Sequence, residues 1–143
     1  MLFRSVEGLF ILGLPGETEF ESNETIRYAC SLPIDMAQFS VLTPYPGSPI
    51  FEQLRAEDGI NTGIRPDGSV DPSVWHRYTA YICFNDVQPI WTTPTQSADS
   101  LRRLQKKALR KFYLRPKQLA RQARRIRPHN IKKMADVALQ GFF

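Results

Sequence analysis

Few side chains in this sequence are of the types that do chemistry, and their spacing limits what they could do. The two cysteines, Cys30 and Cys83, stand 53 positions apart. Iron–sulfur clusters are held by several cysteine thiolates and structural zinc by four ligands, so the pair fits neither. Cys30 falls on the apolar side of a helical pattern and Cys83 within Tyr81-Ile82-Cys83-Phe84, both settings in which cysteine acts as a small hydrophobe. His76 and His129 each lack a companion ligand at helical or loop spacing. There is no Gly-x-Ser-x-Gly elbow, phosphate-binding glycine loop or carboxylate pair. No catalytic residue and no metal ligand is therefore assigned. What remains is positional. Gly13-Leu14-Pro15-Gly16-Glu17-Thr18 follows the apolar run Leu9-Phe10-Ile11-Leu12, and glycines there permit unusual backbone angles and a ligand's close approach. Gln38 and Ser40 are polar residues alternating with Ala37, Phe39 and Val41.

The elements that would carry these residues follow from period and punctuation. The continuous apolarity of residues 9–12 suits a parallel strand covered on both faces. Thr18 with Glu21 three residues on forms a capping box that opens a helix, with Ile26, Ala29 and Cys30 on one face and Pro33 as its stop. Residues 36–42 alternate as a strand, completing a strand–helix–strand crossover. Pro46-Gly47 fits a type II turn. Ser48 with Pro49 then starts a helix that buries Ile50, Phe51 and Leu54 and ends at Asp58-Gly59. Residues 61–73 read as a loop and residues 80–84 as a further short strand.

The rest reads as helical. Leu101, Leu104, Ala108 and Phe112 form one apolar stripe; Leu119, Ala120, Ala123 and Ile126 form a second after Pro116; residues 130–141 form a third helix. No apolar run approaches the roughly 18 residues of a membrane span, and residues 1–8 lack the features of a secretory signal, so a soluble, cytoplasmic protein is expected. The net charge of +5 conceals an asymmetry. Residues 1–100 hold five basic and 13 acidic side chains, a balance of −8, while residues 101–143 hold 14 basic and one acidic, a balance of +13. Either the halves dock on each other with a solvated basic face, or the basic end meets an anionic partner.

Several segments resemble one family. Gly8 to Thr18 is similar to the glycine–isoleucine–glycine–glutamate strand motif of the radical S-adenosylmethionine enzymes, with the first glycine one position early. Phe39-Ser40-Val41-Leu42-Thr43-Pro44-Tyr45-Pro46-Gly47-Ser48-Pro49 resembles the strand and turn that follow. Trp75-His76-Arg77-Tyr78 and residues 108–116 look like the carboxy-terminal end of the cobalamin-binding-domain branch. The resemblance spans about residues 8–120 and implies an α/β fold. Residues 1–94 would be the carboxy-terminal part of a (β/α) TIM-type barrel, partial or full, holding its fifth and sixth strands. Residues 95–143 would be a basic all-helical tail.

The same resemblance implies the cofactors and their contacts. Adenine of S-adenosylmethionine would lie against Ile11 and Gly13, with Leu42 and Thr43 beside them, since such barrels gather their functional groups at carboxy-terminal strand ends. If Phe39 and Val41 face outer helices, the alternation turns Gln38 and Ser40 to the lumen and the substrate, and solvent exposure on an open edge explains this polar pair equally well. In the family's pattern Glu17 would fix the local turn. A [4Fe-4S] cluster and a cobalamin are further implied, yet the C-x-x-x-C-x-x-C triplet that holds the cluster is absent here. The expectation is a truncated or split gene product, inactive alone, with a decayed remnant of no activity as a further reading. Its partner would be an amino-terminal half carrying the triplet, and that assembly would generate a 5′-deoxyadenosyl radical or use a methyl-cobalamin carrier. As an alternative, the basic helices would act independently on an anionic surface. A membrane is favoured there over nucleic acid, because enzymes of this branch often act on lipid-like or pigment substrates.

Overall fold

The computed structural model describes residues 5–57, 65, 67–69, 71–85 and 87–125, the last five as backbone alone. Strand β1 (Glu7–Leu12) leads through helix α1 (Glu19–Ser31) into strand β2 (Met36–Val41). Helices α2 (Pro49–Ala56), α3 (Pro72–Trp75), α4 (Ala98–Tyr113) and α5 (Pro116–Arg125) follow. The two strands form one parallel sheet with Glu7 opposite Met36 and Leu12 opposite Val41. This is the crossover expected of strand, helix and strand, because a parallel partner can be reached only through a long connection.

The local chemistry of the crossover is explicit. The Thr18 hydroxyl accepts from the Glu21 N–H at 3.3 Å, and the Glu21 carboxylate accepts from the Thr18 N–H at 2.8 Å. These bonds satisfy donors that the first helical turn leaves unpaired. Helix α1 then buries Ser22, Ile26 and Ala29. Helix α2 starts as expected, with the Ser48 hydroxyl accepting from Phe51 N–H at 3.3 Å and Pro49 in its first turn.

Packing separates the sheet's two faces. Leu12, Ala37 and Phe39 are buried with Ile26, Ala29 and Ile34 beneath Leu104, Ala108 and Phe112 of α4. Phe39 is stacked on Phe10 at 5.3 Å and meets Phe112 edge-on at 6.3 Å. A second cluster gathers Leu42, Phe51, Leu54, Tyr78, Ile90 and Trp91 beyond the end of β2. On the opposite face of the sheet, Leu9 and Ile11 remain 72% and 48% exposed, beside exposed Gln38 and half-buried Ser40. The expectation of a strand covered on both faces therefore holds for one face only, because among the described residues no element packs on the other.

The sheet's two edges also differ. Backbone groups of Ala37, Phe39 and Val41 point away from β1, and each of the three residues makes at least one bond there. The Tyr113 hydroxyl donates to Ala37 C=O at 3.0 Å and accepts its N–H at 3.2 Å. Gln105 Nε2 donates to Phe39 C=O at 2.6 Å, and Val41 N–H donates to Ala80 C=O at 2.8 Å. The outer edge of β2 is thus closed by side chains of α4 and one turn of loop. Among the described residues, the outward backbone groups of Leu9 and Ile11 in β1 have no such partner.

Other expectations change. Residues 80–84 are turns rather than a strand, since Gln105 claims both the Ala80 carbonyl, at 2.8 Å, and the Cys83 N–H, at 2.9 Å. Asp71-Pro72 is a helix start, with the Asp71 carboxylate accepting from Ser73 N–H at 2.9 Å. Arg115 separates α4 from α5 as Pro116 requires, its guanidinium 4.2 Å from the centroid of the Phe112 ring. Leu119 of the second stripe is 49% exposed. The end at Asp58-Gly59, most of the 61–73 loop, the side chains of Ala123 and Ile126, and residues 130–141 lie outside the described residues.

Candidate functional site at the strand ends

The sheet brings the candidate residues together by register. Ile11 lies opposite Ser40, and the Leu42 N–H donates to the Leu12 carbonyl at 2.9 Å, so Gly13 and Leu42 are the first residues beyond the paired strands and Thr43 follows. Their surroundings divide them. Ile11 is on the open face, and Thr43 is half-buried with its hydroxyl donating to the Val41 carbonyl at 3.2 Å. Leu42 is buried in the second cluster. Gly13 is buried at φ +79°, where a Cβ would come within 3.0 Å of Leu101 Cδ2. A glycine is needed there for backbone sign and for the approach of α4. Ile11 is therefore exposed and Thr43 half-buried, whereas Gly13 and Leu42 are buried among Leu101 and the second cluster.

The turn beyond β1 is held rigidly. Glu17, although buried, has its carboxylate accepting from the Leu14 N–H at 2.7 Å and from the Ser22 hydroxyl at 2.8 Å. Its carbonyl accepts from Gln96 Nε2 at 3.0 Å and from the Thr95 hydroxyl. Gln96 Nε2 also reaches Ser22 Oγ at 3.1 Å. A buried carboxylate is tolerable because each oxygen has a donor. The geometry gives Glu17 the turn-fixing part that the motif implied, tying β1, α1 and the approach to α4.

Gln38 and Ser40 share the open face as the alternation requires. Gln38 is engaged at both ends: its Nε2 donates to Glu7 Oε1 at 2.8 Å, and its Oε1 accepts from the Tyr81 phenol at 2.6 Å. Tyr81 and Gln105 were invisible as site or scaffold residues in the sequence. The one available signal for Gln105 is its position four residues after Leu101, among the apolar stripe, where the structure buries it wholly. Tyr81 carried none, because its loop has no periodicity.

The cysteines do not supply a metal centre. Cys30 is half-buried on α1 and Cys83 is buried; among the described residues no group of three or more His, Cys, Asp and Glu could hold a metal. Burial pushes the Cys83 thiol above its ordinary range, away from the thiolate that a metal needs. The residues present therefore do not fit an iron–sulfur cluster. His76 is exposed beside α3.

With this geometry in place, sequence comparison gives two relatives. The chain is 35% identical over 112 residues to an uncharacterized methyltransferase of Pyrococcus horikoshii, a match covering 78% of this chain and 21% of that protein. It is 43% identical over 49 residues to an anaerobic magnesium-protoporphyrin IX monomethyl ester cyclase of Cereibacter sphaeroides, covering 34% of this chain and 8% of the cyclase. The chain thus spans about a fifth of the first relative and under a tenth of the second. No protein-family model matches the sequence, and no solved structure matches it. No helix among the described residues is long and apolar enough to cross a membrane.

Proposed function

We propose that this chain is a late segment of a radical S-adenosylmethionine enzyme, supplying two adjacent barrel strands and part of the S-adenosylmethionine pocket. The reading rests on the asymmetry of the sheet. Strand β2 has its outer edge closed by Tyr113, Gln105 and Ala80, as the last strand of a partial barrel would. Among the described residues strand β1 presents an open edge, and the face bearing Leu9, Ile11, Gln38 and Ser40 lies opposite the helices, where a barrel has its lumen. The similarity to a methyltransferase and to a cyclase supports the same class.

In this reading Ile11 packs on the adenine face and Thr43 offers its hydroxyl at the adjoining strand end. Gly13 and Leu42 act from beneath, through the turn and the second cluster. Gln38 and Ser40 face the substrate, with Gln38 oriented by Glu7 and Tyr81. When bound, S-adenosylmethionine supplies a methyl group or a 5′-deoxyadenosyl radical. The thiolates of the [4Fe-4S] cluster come from an amino-terminal partner segment, and any cobalamin is likewise held outside this chain.

The test is co-expression with a companion chain bearing the C-x-x-x-C-x-x-C triplet. The complex should show iron–sulfur absorbance and bind S-adenosylmethionine. Ile11→Asp should weaken that binding by about tenfold or more, the cost of setting a charge against an apolar ring, while leaving the absorbance unchanged. A complex with full absorbance whose binding is indifferent to Ile11→Asp and Thr43→Val would contradict the assignment of the pocket.

A further inference from the structure

Helix α4 turns two unlike faces outward and inward. Leu101, Leu104, Ala108 and Phe112 are 0–2% exposed against the sheet and α1. The opposite face carries Arg103, Lys106, Lys107, Arg110 and Lys111, which line a groove of 410 Å³. Residues 101–125 contain 11 lysines and arginines and no acidic residue. We propose that this face docks on an anionic membrane surface, with lipid phosphates in the cationic groove and two protruding apolar side chains at its margins.

The geometry favours lipid over other polyanions. Arg103, Lys107 and Arg110 recur at spacings of four and three, which places them on one stripe of the helix, and Leu114, four residues on, is its C-cap. Leu114 is 56% exposed. Alongside runs α1, whose Asn23 Oδ1 accepts from Lys107 Nζ at 2.6 Å. Phe20, one turn before Asn23 on the same side of α1, is 71% exposed. The nearby Glu24 carboxylate is held by Arg27 at 2.7 Å, which offsets its repulsion of an anionic surface. A nucleic-acid backbone would use the cations but not the leucine and phenylalanine that flank them. A charged bilayer uses both, through headgroup attraction and insertion at the acyl boundary. Because the apolar stripe of α4 is committed to the core, the helix cannot roll over into lipid, and attachment is peripheral and governed by charge.

The full chain can be sedimented with vesicles of phosphatidylcholine, with or without phosphatidylglycerol. It should bind only the mixed vesicles at about 0.1 M salt and be released at about 1 M, where the screening length falls from about 10 Å to about 3 Å. Neutralising Lys107 or Arg103 should weaken binding by about fivefold each. Leu114→Ser should weaken it several-fold without changing its salt dependence, circular dichroism verifying that each variant stays folded. Failure of the folded chain to bind mixed vesicles at about 0.1 M salt, equal binding to pure phosphatidylcholine, or binding to duplex DNA and vesicles alike with no effect of Leu114→Ser, would overturn the proposal.

Discussion

Gln105 holds three backbone groups with one amide: the carbonyls of Phe39 and Ala80 and the N–H of Cys83. Ala80 C=O keeps its bond from Val41 N–H, so Gln105→Met, which keeps the volume and loses the bonds, leaves two groups unsatisfied at about 1–3 kcal/mol each and should destabilise the fold by about 2 kcal/mol or more in urea unfolding. Gly13→Ala meets two obstacles at once, a left-handed φ of +79° and Leu101 Cδ2 at 3.0 Å. It should cost about 1–2 kcal/mol from the backbone alone, again read by urea unfolding. At Cys83 the fold favours the neutral thiol. Below the ordinary thiol pKa this has no effect on stability. As pH rises above it the unfolded chain ionises first, and stability falls until the folded thiol ionises too. Alkylation of Cys83 at mildly alkaline pH should accordingly be much slower in the native chain than in the same chain in urea.

Helix α1 depends on its cap. Thr18→Ala should cost about 1 kcal/mol in thermal or urea unfolding, by leaving a first-turn donor unpaired. The Thr18 N–H, and then its hydroxyl, hold the Glu21 carboxyl below its ordinary pKa. That contribution is present above the ordinary carboxylate range and is lost as pH falls through the lowered value. The capping box, Ser48-Pro49 and the stripe from Leu101 to Phe112 were legible because each rests on interactions within a few residues of chain. The closure of β2 was not, since it joins Ala37 to Tyr113 and Phe39 to Gln105, more than 60 residues apart. The same competition explains residues 80–84: an aromatic-rich stretch suggests a strand, but Gln105 takes the bonds a ladder would have used. For the candidate site, the sequence placed Ile11 and Thr43 at adjoining strand ends. It could not tell that Gly13 and Leu42 are buried, because that depends on where Leu101 and the second cluster lie.

On the scale of the whole molecule, the sheet is finished on one side only. Among the described residues, helices cover one face and α4 closes one edge, while Leu9 and Ile11 leave apolar surface and unpaired backbone facing outward. Exposed strand edges with apolar side chains favour further pairing, and a neighbouring parallel strand would cover both deficits at once. Hydrogen exchange at the amides of Leu9 and Ile11 tests this most directly, measured on the chain alone and in complex with a companion carrying the cysteine triplet. The account predicts fast exchange at both amides in the isolated chain and strong protection in the complex, with Ala37 and Val41 protected throughout. Protection of Leu9 and Ile11 already in the isolated monomer, or a complex that leaves them exchanging freely, would contradict it.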